Sequence, residues 1–134
     1  MLVKQVMSHP AICVDENTSI NETIDIMRRK KLGFVPITKS DYLIGVVSDR
    51  DILLRGQHLE KNSKISTIMT NNIIYTVPEN ATLEEAGKIM SNSKVRRLVV
   101  VNNDLIRGVI TTKDLLIDKN LIPYIQNTYT NIHY

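Results

Sequence analysis

Large aromatic side chains are almost missing from this sequence, which has one Phe, no Trp and five Tyr among 134 residues. A core built from it must be aliphatic, made of Ile, Leu, Val and Met. Cys13 is the lone cysteine, which excludes an intramolecular disulfide and any CxxC metal clip. Long apolar runs are missing too. Leu98-Val99-Val100-Val101 has the length of a strand and falls far short of a membrane span. Met1-Leu2-Val3-Lys4-Gln5-Val6 lacks the apolar stretch of a secretory signal. A cytoplasmic location is the resulting expectation, with no membrane involvement.

Hydrophobic residues make up 43% and charged residues 23%, as in ordinary globular proteins. The net charge is +3 and the isoelectric point about 9.0. The basic residues are dispersed except for Arg28-Arg29-Lys30-Lys31 and Arg96-Arg97. A basic run near a helix C-terminus complements the helix dipole, and no aromatics are interleaved with these charges to stack on bases. Nucleic acid is therefore a weak alternative. No GxGxxG, Walker loop, HExxH or Cys-rich metal spacing occurs.

What the sequence does contain is a duplication. Adding 63 to each number maps Val14–Leu54 onto Val77–Ile117 without a gap, with 12 of 41 positions identical. Upstream, Val6-Met7-Ser8 matches Ile68-Met69-Thr70 at an offset of 62. Each copy changes its hydrophobic period in the same order. Ile12-Cys13-Val14 and Ile74-Tyr75-Thr76-Val77 are short β-prone segments. Amphipathic helices follow, with Ile20, Ile24 and Met27, or Leu83, Gly87 and Met90, on one face. Ser19-x-x-Glu22 and Thr82-x-x-Glu85 mark their starts as capping boxes. Then come two apolar runs per copy, Leu32–Ile37 with Leu43–Val47 and Val95–Val101 with Ile106–Ile110, each pair joined by a polar turn. A second helix begins at Asp49 or Thr112. The order per copy is β-α-β-β-α, an α/β (α+β) fold.

A copy of about 60 residues buries little surface alone. One integrated body with pseudo-twofold symmetry and a shared core is expected, with repeats at 1–60 and 61–118. Gln57–Lys64 reads as the linker and 119–134 as a C-terminal tail, frayed or packed on a dimer, with Tyr124, Tyr129 and Tyr134 as a docking alternative.

After the second strand of each hairpin the chain reads Gly45-Val46-Val47-Ser48-Asp49-Arg50-Asp51 and Gly108-Val109-Ile110-Thr111-Thr112-Lys113-Asp114. Both fit Gly-φ-φ-(Ser/Thr)-x-x-Asp, with φ aliphatic. A hydroxyl at the N-cap and a carboxylate three residues on form a capping box, which is one explanation. The other is a ligand. Asp can accept two hydrogen bonds from a ribose diol, the hydroxyl and helix N–H groups suit a phosphate, and Gly permits close approach of a base to an apolar strand.

The duplicated β-α-β-β-α unit ending on this motif resembles the CBS domain, named after cystathionine β-synthase and found as tandem pairs. The resemblance runs from about Val3 to Ile117 and includes Val6-Met7-Ser8, Ile68-Met69-Thr70, Phe34-Val35-Pro36-Ile37 and Arg97-Leu98-Val99-Val100. The Pro frequent in the family is Val99 in the second copy. The resemblance implies clefts for adenosine ligands, commonly AMP, ADP or ATP and sometimes S-adenosylmethionine. Each would take its ribose Asp from one repeat and its base-binding strand from the other. Ser48 and Asp51 would work with Thr70, Tyr75, Val95 and Arg96. Thr111 and Asp114 would work with Ser8, Ile12, Leu32 and Gly33. Arg96 would add a phosphate contact beside the Asp51 cleft, where its counterpart Gly33 brings no charge. A homodimer formed through the helices is also implied.

No constellation for acid–base or covalent catalysis is present. His9, His58 and His133 are scattered, and Cys13 has no partnering His in the pattern. The expectation is a regulatory nucleotide-binding module, not an enzyme, needing no cofactor and reporting to an effector protein. The rival reading is a structural or dimerisation module that has lost its ligand.

Overall fold

Each repeat opens its first helix in the way the hydroxyl residues dictate. The structure, a computed structural model, describes residues 1–57, 59–60, 62–71 and 74–130. Ser19 Oγ accepts the Glu22 N–H at 3.0 Å at the start of α1 (Ile20–Lys30). Thr82 Oγ1 accepts the Glu85 N–H at 3.1 Å at the start of α3 (Leu83–Ser93). Both helices stop at a left-handed lysine, Lys31 with φ 56° and Lys94 with φ 55°. There the next N–H returns to the last turn, Leu32 to Met27 O at 2.8 Å and Val95 to Met90 O at 3.1 Å. Arg28 and Arg29 both grip Asp25, at 2.6 and 3.0 Å, on the exposed side of α1. The basic run is thus a solvated helix end. The Arg28 hydrogen bond in first place holds the Asp25 carboxyl below the usual carboxylate range.

Two compact units result, one of Ile12–Ile74 and a composite one of Met1–Ala11 with Tyr75–Tyr134. In the 12–74 unit β1 (Val14–Asp15) pairs parallel with β2 (Phe34–Lys39), which pairs antiparallel with β3 (Tyr42–Ser48). The composite unit repeats this with β4 (Thr76–Pro78), β5 (Arg97–Asn102) and β6 (Leu105–Thr111). Ser40-Asp41 and Asn103-Asp104 turn the hairpins with positive φ, as a two-residue hairpin requires. A register shift falls at Ile37/Thr38 and again at Val100/Val101, so even the bulge is duplicated.

The segments that lead into the repeats are exchanged. Val3 donates to Ala81 O at 2.8 Å, and Ser8 and Val109 trade two bonds at 3.0 and 3.1 Å. Ile65 donates to Thr18 O at 2.7 Å, and Thr70 and Val46 trade two bonds at 2.8 and 2.9 Å. The start of the chain thereby completes the later repeat, and residues after the expected 60/61 boundary complete the earlier one. This gives each unit a buried cluster of its own. Val14, Ile20, Met27, Val35, Ile37, Val47, Ile65 and Ile68 form one. Val3, Val77, Leu83, Met90, Leu98, Val100, Ile110 and Leu115 belong to the other. The short repeats close because a borrowed segment covers each of them.

Two expectations about helices need correction. The second helix is α-helical only in the first repeat, as α2 (Asp49–Arg55); its counterpart Thr112–Ile117 is a 3-10 helix. The stretch after 118 is no frayed tail as far as Thr130. A 3-10 turn at Lys119–Leu121 leads into α4 (Ile122–Tyr129), which starts with Pro123 in its first turn and packs on α3. His58, His133 and Tyr134 lie outside the described residues.

Candidate nucleotide-binding turns

The strand-to-helix turns form capping boxes, so the plain explanation of the motif is physically realised. Asp51 Oδ2 accepts the Ser48 N–H at 2.9 Å and the Ser48 hydroxyl at 3.1 Å, while the Asp51 N–H donates to Ser48 Oγ at 3.2 Å. Asp114 Oδ2 likewise accepts the Thr111 N–H at 2.8 Å, with Thr111 Oγ1 at 3.4 Å. Each box uses a single oxygen of its carboxylate. The other differs between the repeats. Asp51 Oδ1 faces the Arg55 guanidinium at 3.4 Å, whereas no ion pair involves Asp114 among the described residues. One carboxylate oxygen per turn is thus outside the box, which is what a diol would need.

The backbone fixes where each turn stands. Gly33 O accepts the Asp49 N–H at 2.9 Å, and Arg96 O accepts the Thr112 N–H at 3.0 Å, so the start of the hairpin holds the start of the helix in both repeats. Phe34 lies opposite Ser48, and Arg97 opposite Thr111. The exchanged segment supplies a third element. Thr70 is brought to the Ser48–Asp51 turn through its bridge to Val46 and through Arg55, whose Nη2 lies 3.4 Å from Thr70 Oγ1 and whose Nη1 lies 3.4 Å from Ile68 O. Ser8 is joined to β6, the strand that leads into the Thr111–Asp114 turn, through its bridge to Val109.

The glycines of the motif make room for the incoming segment. A Cβ on Gly45 would meet Met69 Sδ at 2.5 Å, and one on Gly108 would meet Ser8 O at 2.6 Å and Met7 Sδ at 2.7 Å. Their space is filled by the neighbouring chain segment.

A model of the CBS domain matches residues 3–57 and 65–118. The chain belongs to the CBS domain family. The CBS domain-containing protein YhcV of Bacillus subtilis is 28% identical over 132 residues, covering 97% of this chain and 94% of that protein. The CBS domain pair of protein MJ0100, solved in complex with 5′-methylthioadenosine and S-adenosyl-L-methionine, matches with TM-score 0.76 and 26% identity, covering 87% of this chain and 94% of that one. Inosine-5′-monophosphate dehydrogenase of Aquifex aeolicus is 36% identical over 108 residues, which are 78% of this chain but only 22% of the enzyme. The similarity to that enzyme is thus confined to about a fifth of its length.

Within this CBS pair, the expected ligand residues divide between the two units. Ser48, Asp51 and Thr70 come together in the 12–74 unit, which also holds Ile12, Leu32 and Gly33. Thr111 and Asp114 are joined in the composite unit, where Ser8 is bonded to Val109 two residues before Thr111, and that unit also holds Tyr75, Val95 and Arg96. Ile12 and Tyr75 are each 37% exposed, so the two CBS repeats present the same position to the same degree. The Tyr75 carbonyl is used by the Val99 N–H at 3.2 Å. Arg96 is exposed, and its backbone partner is Thr112 of its own repeat.

Arg55 escaped the sequence reading, although its i,i+4 spacing from Asp51 on a helix signals the pair. Tyr129 stands in the sequence only as part of a docking alternative, and nothing local signals the contact of its hydroxyl with Thr112 Oγ1 at 2.8 Å. Among the described residues no group of three or more His, Cys, Asp or Glu could hold a metal. Burial pushes the Cys13 thiol above the ordinary thiol range, which keeps it protonated and a poor nucleophile. No helix of the described residues is long and apolar enough to cross a membrane.

Proposed function

We propose that this CBS pair is a regulatory module that binds an adenosine-containing ligand at its Gly-φ-φ-(Ser/Thr)-x-x-Asp turns and performs no catalysis of its own. The observation that carries the reading is the geometry of Asp114. Its Oδ2 is fixed by Thr111, which orients the carboxylate while Oδ1 stays outside the box. The same orientation holds for Asp51, with Arg55 3.4 Å from the other carboxylate oxygen. AMP, ADP and ATP fit a turn with Arg55 beside it, because a guanidinium favours phosphate. S-adenosylmethionine is supported by the ligands of the MJ0100 pair. The natural setting is a cytoplasmic one, in which the occupied module signals adenylate state to an effector protein.

A thermal-shift and calorimetric panel of AMP, ADP, ATP, NAD and S-adenosylmethionine tests this. A ligand at a hundred times its dissociation constant adds about 2.7 kcal/mol, visible as a rise of several degrees. Asp51→Ala and Asp114→Ala should each remove one binding event and spare the other. Intact binding in both variants, with only a capping loss of about 1 kcal/mol, would leave the capping box as the whole role of the motif.

A second reading, a dimerisation module, is favoured by a specific surface. Leu53 and Leu54 are 63% and 60% exposed, and their repeat counterparts Leu116 and Ile117 are 60% and 59% exposed. Apolar pairs kept outward at the same place in both repeats suit a homodimer formed through these helices. Light scattering should give twice 15.3 kDa, and a monomer at micromolar concentration would remove this reading.

A further inference from the structure

We propose that Tyr129, on the C-terminal helix, is a positioning residue for the second ligand turn, so that docking of α4 and occupancy of the Thr111–Asp114 turn support one another. This rests on the reading of that turn as an adenosine site. Thr112 opens the turn and is anchored twice. Its N–H donates to Arg96 O at 3.0 Å, and its buried hydroxyl lies 2.8 Å from the Tyr129 hydroxyl. The first repeat has the same backbone anchor, Asp49 N–H to Gly33 O, but its Asp49 side chain is exposed and, among the described residues, accepts only the N–H of its neighbour Arg50 at 2.8 Å. The second anchor is a property of the later repeat alone.

Tyr129 is held where it stands. The Tyr124 ring lies against Gly87, where a Cβ would come within 3.3 Å of it, and the Tyr124 hydroxyl donates to Glu84 at 3.1 Å. Lys94 Nζ donates to Asn127 O at 2.5 Å, Asn127 Nδ2 donates to Ser91 Oγ, and Thr128 is fully buried. These contacts fix α4 on α3 and bring the end of α4 to the turn. The turn needs such support. Thr112–Ile117 is a 3-10 helix, with tighter and poorer hydrogen bonds than the α2 that fills its place in the first repeat. A hydroxyl pair at its first residue holds the backbone that aims Asp114.

Tyr129→Phe deletes the hydroxyl and keeps the ring. In the unliganded 134-residue chain, hydrogen exchange of the 112–117 amides should speed up about fivefold, the loss of one such hydrogen bond, while the 49–55 amides stay unchanged. Thr112→Val should do the same, and the double variant should be no worse than either single one. In an Asp51→Ala background, where only the second turn can bind, Tyr129→Phe should weaken S-adenosylmethionine about fivefold by calorimetry. It should leave binding at the first turn, measured in an Asp114→Ala background, untouched. Unchanged 112–117 exchange, or costs that add independently in the double variant, would overturn the positioning role while leaving the ligand reading standing. Faster exchange with equal S-adenosylmethionine affinity would reduce Tyr129 to a stabilising contact and overturn the coupling. Failure of any panel compound to bind the unmodified protein would instead sink the ligand reading, and the coupling with it.

Discussion

Gly45→Ala and Gly108→Ala form a matched pair of perturbations, since the two glycines occupy the same place in the two repeats. At Gly45 the added methyl meets Met69 Sδ at 2.5 Å and Cγ at 3.0 Å, with Thr70 O next at 3.1 Å. Met69 is half-buried and has three rotatable bonds, so most of that overlap is relieved by a rotamer change. At Gly108 the nearest atom is the backbone oxygen of Ser8 at 2.6 Å, ahead of Met7 Sδ at 2.7 Å. Relief there requires the backbone to move, and Ser8 is tied to Val109 by two bonds at 3.0 and 3.1 Å. Overpacking costs about 1–3 kcal/mol and each strained hydrogen bond up to about 1 kcal/mol. Gly108→Ala should therefore cost about 2–4 kcal/mol and Gly45→Ala about 1 kcal/mol. In melting temperature the first should fall by about 6–16 °C and the second by about 4 °C. Circular dichroism melts measure this, and limited proteolysis adds a local readout. Cleavage within 1–11 should become fast in Gly108→Ala only, because the segment is detached from the strand that receives it. Equal melting losses, or a larger one for Gly45→Ala, would refute the argument that backbone contact decides the difference.

Ser19→Ala and Thr82→Ala should each cost about 1 kcal/mol, as loss of an N-cap acceptor does, and urea midpoints should show similar losses for both. Cys13, half-buried with its thiol raised by desolvation, should react with iodoacetamide at pH 8.5 several-fold more slowly than in urea-unfolded chain, and equal rates would contradict its burial. Because the folded state holds this proton more tightly, the unfolded chain ionises first. Stability should be unaffected by Cys13 below the ordinary thiol pKa and decline as pH rises from there to the folded value, a decline absent in Cys13→Ala.

The parts of the fold legible in the sequence are those governed by neighbours along the chain. Ser19 and Thr82 cap the helices they were expected to cap, and the Ser40-Asp41 and Asn103-Asp104 turns fall between the apolar runs. The first strands begin two residues later than their strand-like residues suggest, at Val14 and Thr76 instead of Ile12 and Ile74. Propensity describes a side chain that suits a pleated surface and does not supply the neighbour. Aligned sequences Asp49–Leu54 and Thr112–Ile117 fold as different helices, and only in the second are side chains of the helix buried, at Thr112, which meets Tyr129 of α4, and at Leu115. The exchange of leading segments was equally hidden. The 62-residue offset of Val6-Met7-Ser8 shows that the phrase is duplicated, and only the bonds from Val3 to Ala81 and from Ile65 to Thr18 show which repeat receives it. At the site, the capping geometry is visible in the spacing of Ser48 and Asp51, and the Asp51–Arg55 pair in its i,i+4 spacing, whereas the reach of Arg55 to Thr70 and of Tyr129 to Thr112 depends on the approach of distant segments.

The crossing of the leading segments sets an order of assembly on the ribosome. Residues 12–74 are continuous, so that unit has all its parts as soon as Ile74 leaves the exit tunnel. Residues 1–11 are made well before the parts they join, since Val109 on β6 and Ala81 just ahead of α3 are synthesised later. Throughout that interval Val3, fully buried in the finished protein, has no cover of its own. Circular permutation that moves 1–11 to follow a linker after Thr130 would remove the wait, and the nascent chain would then need less protection by chaperones.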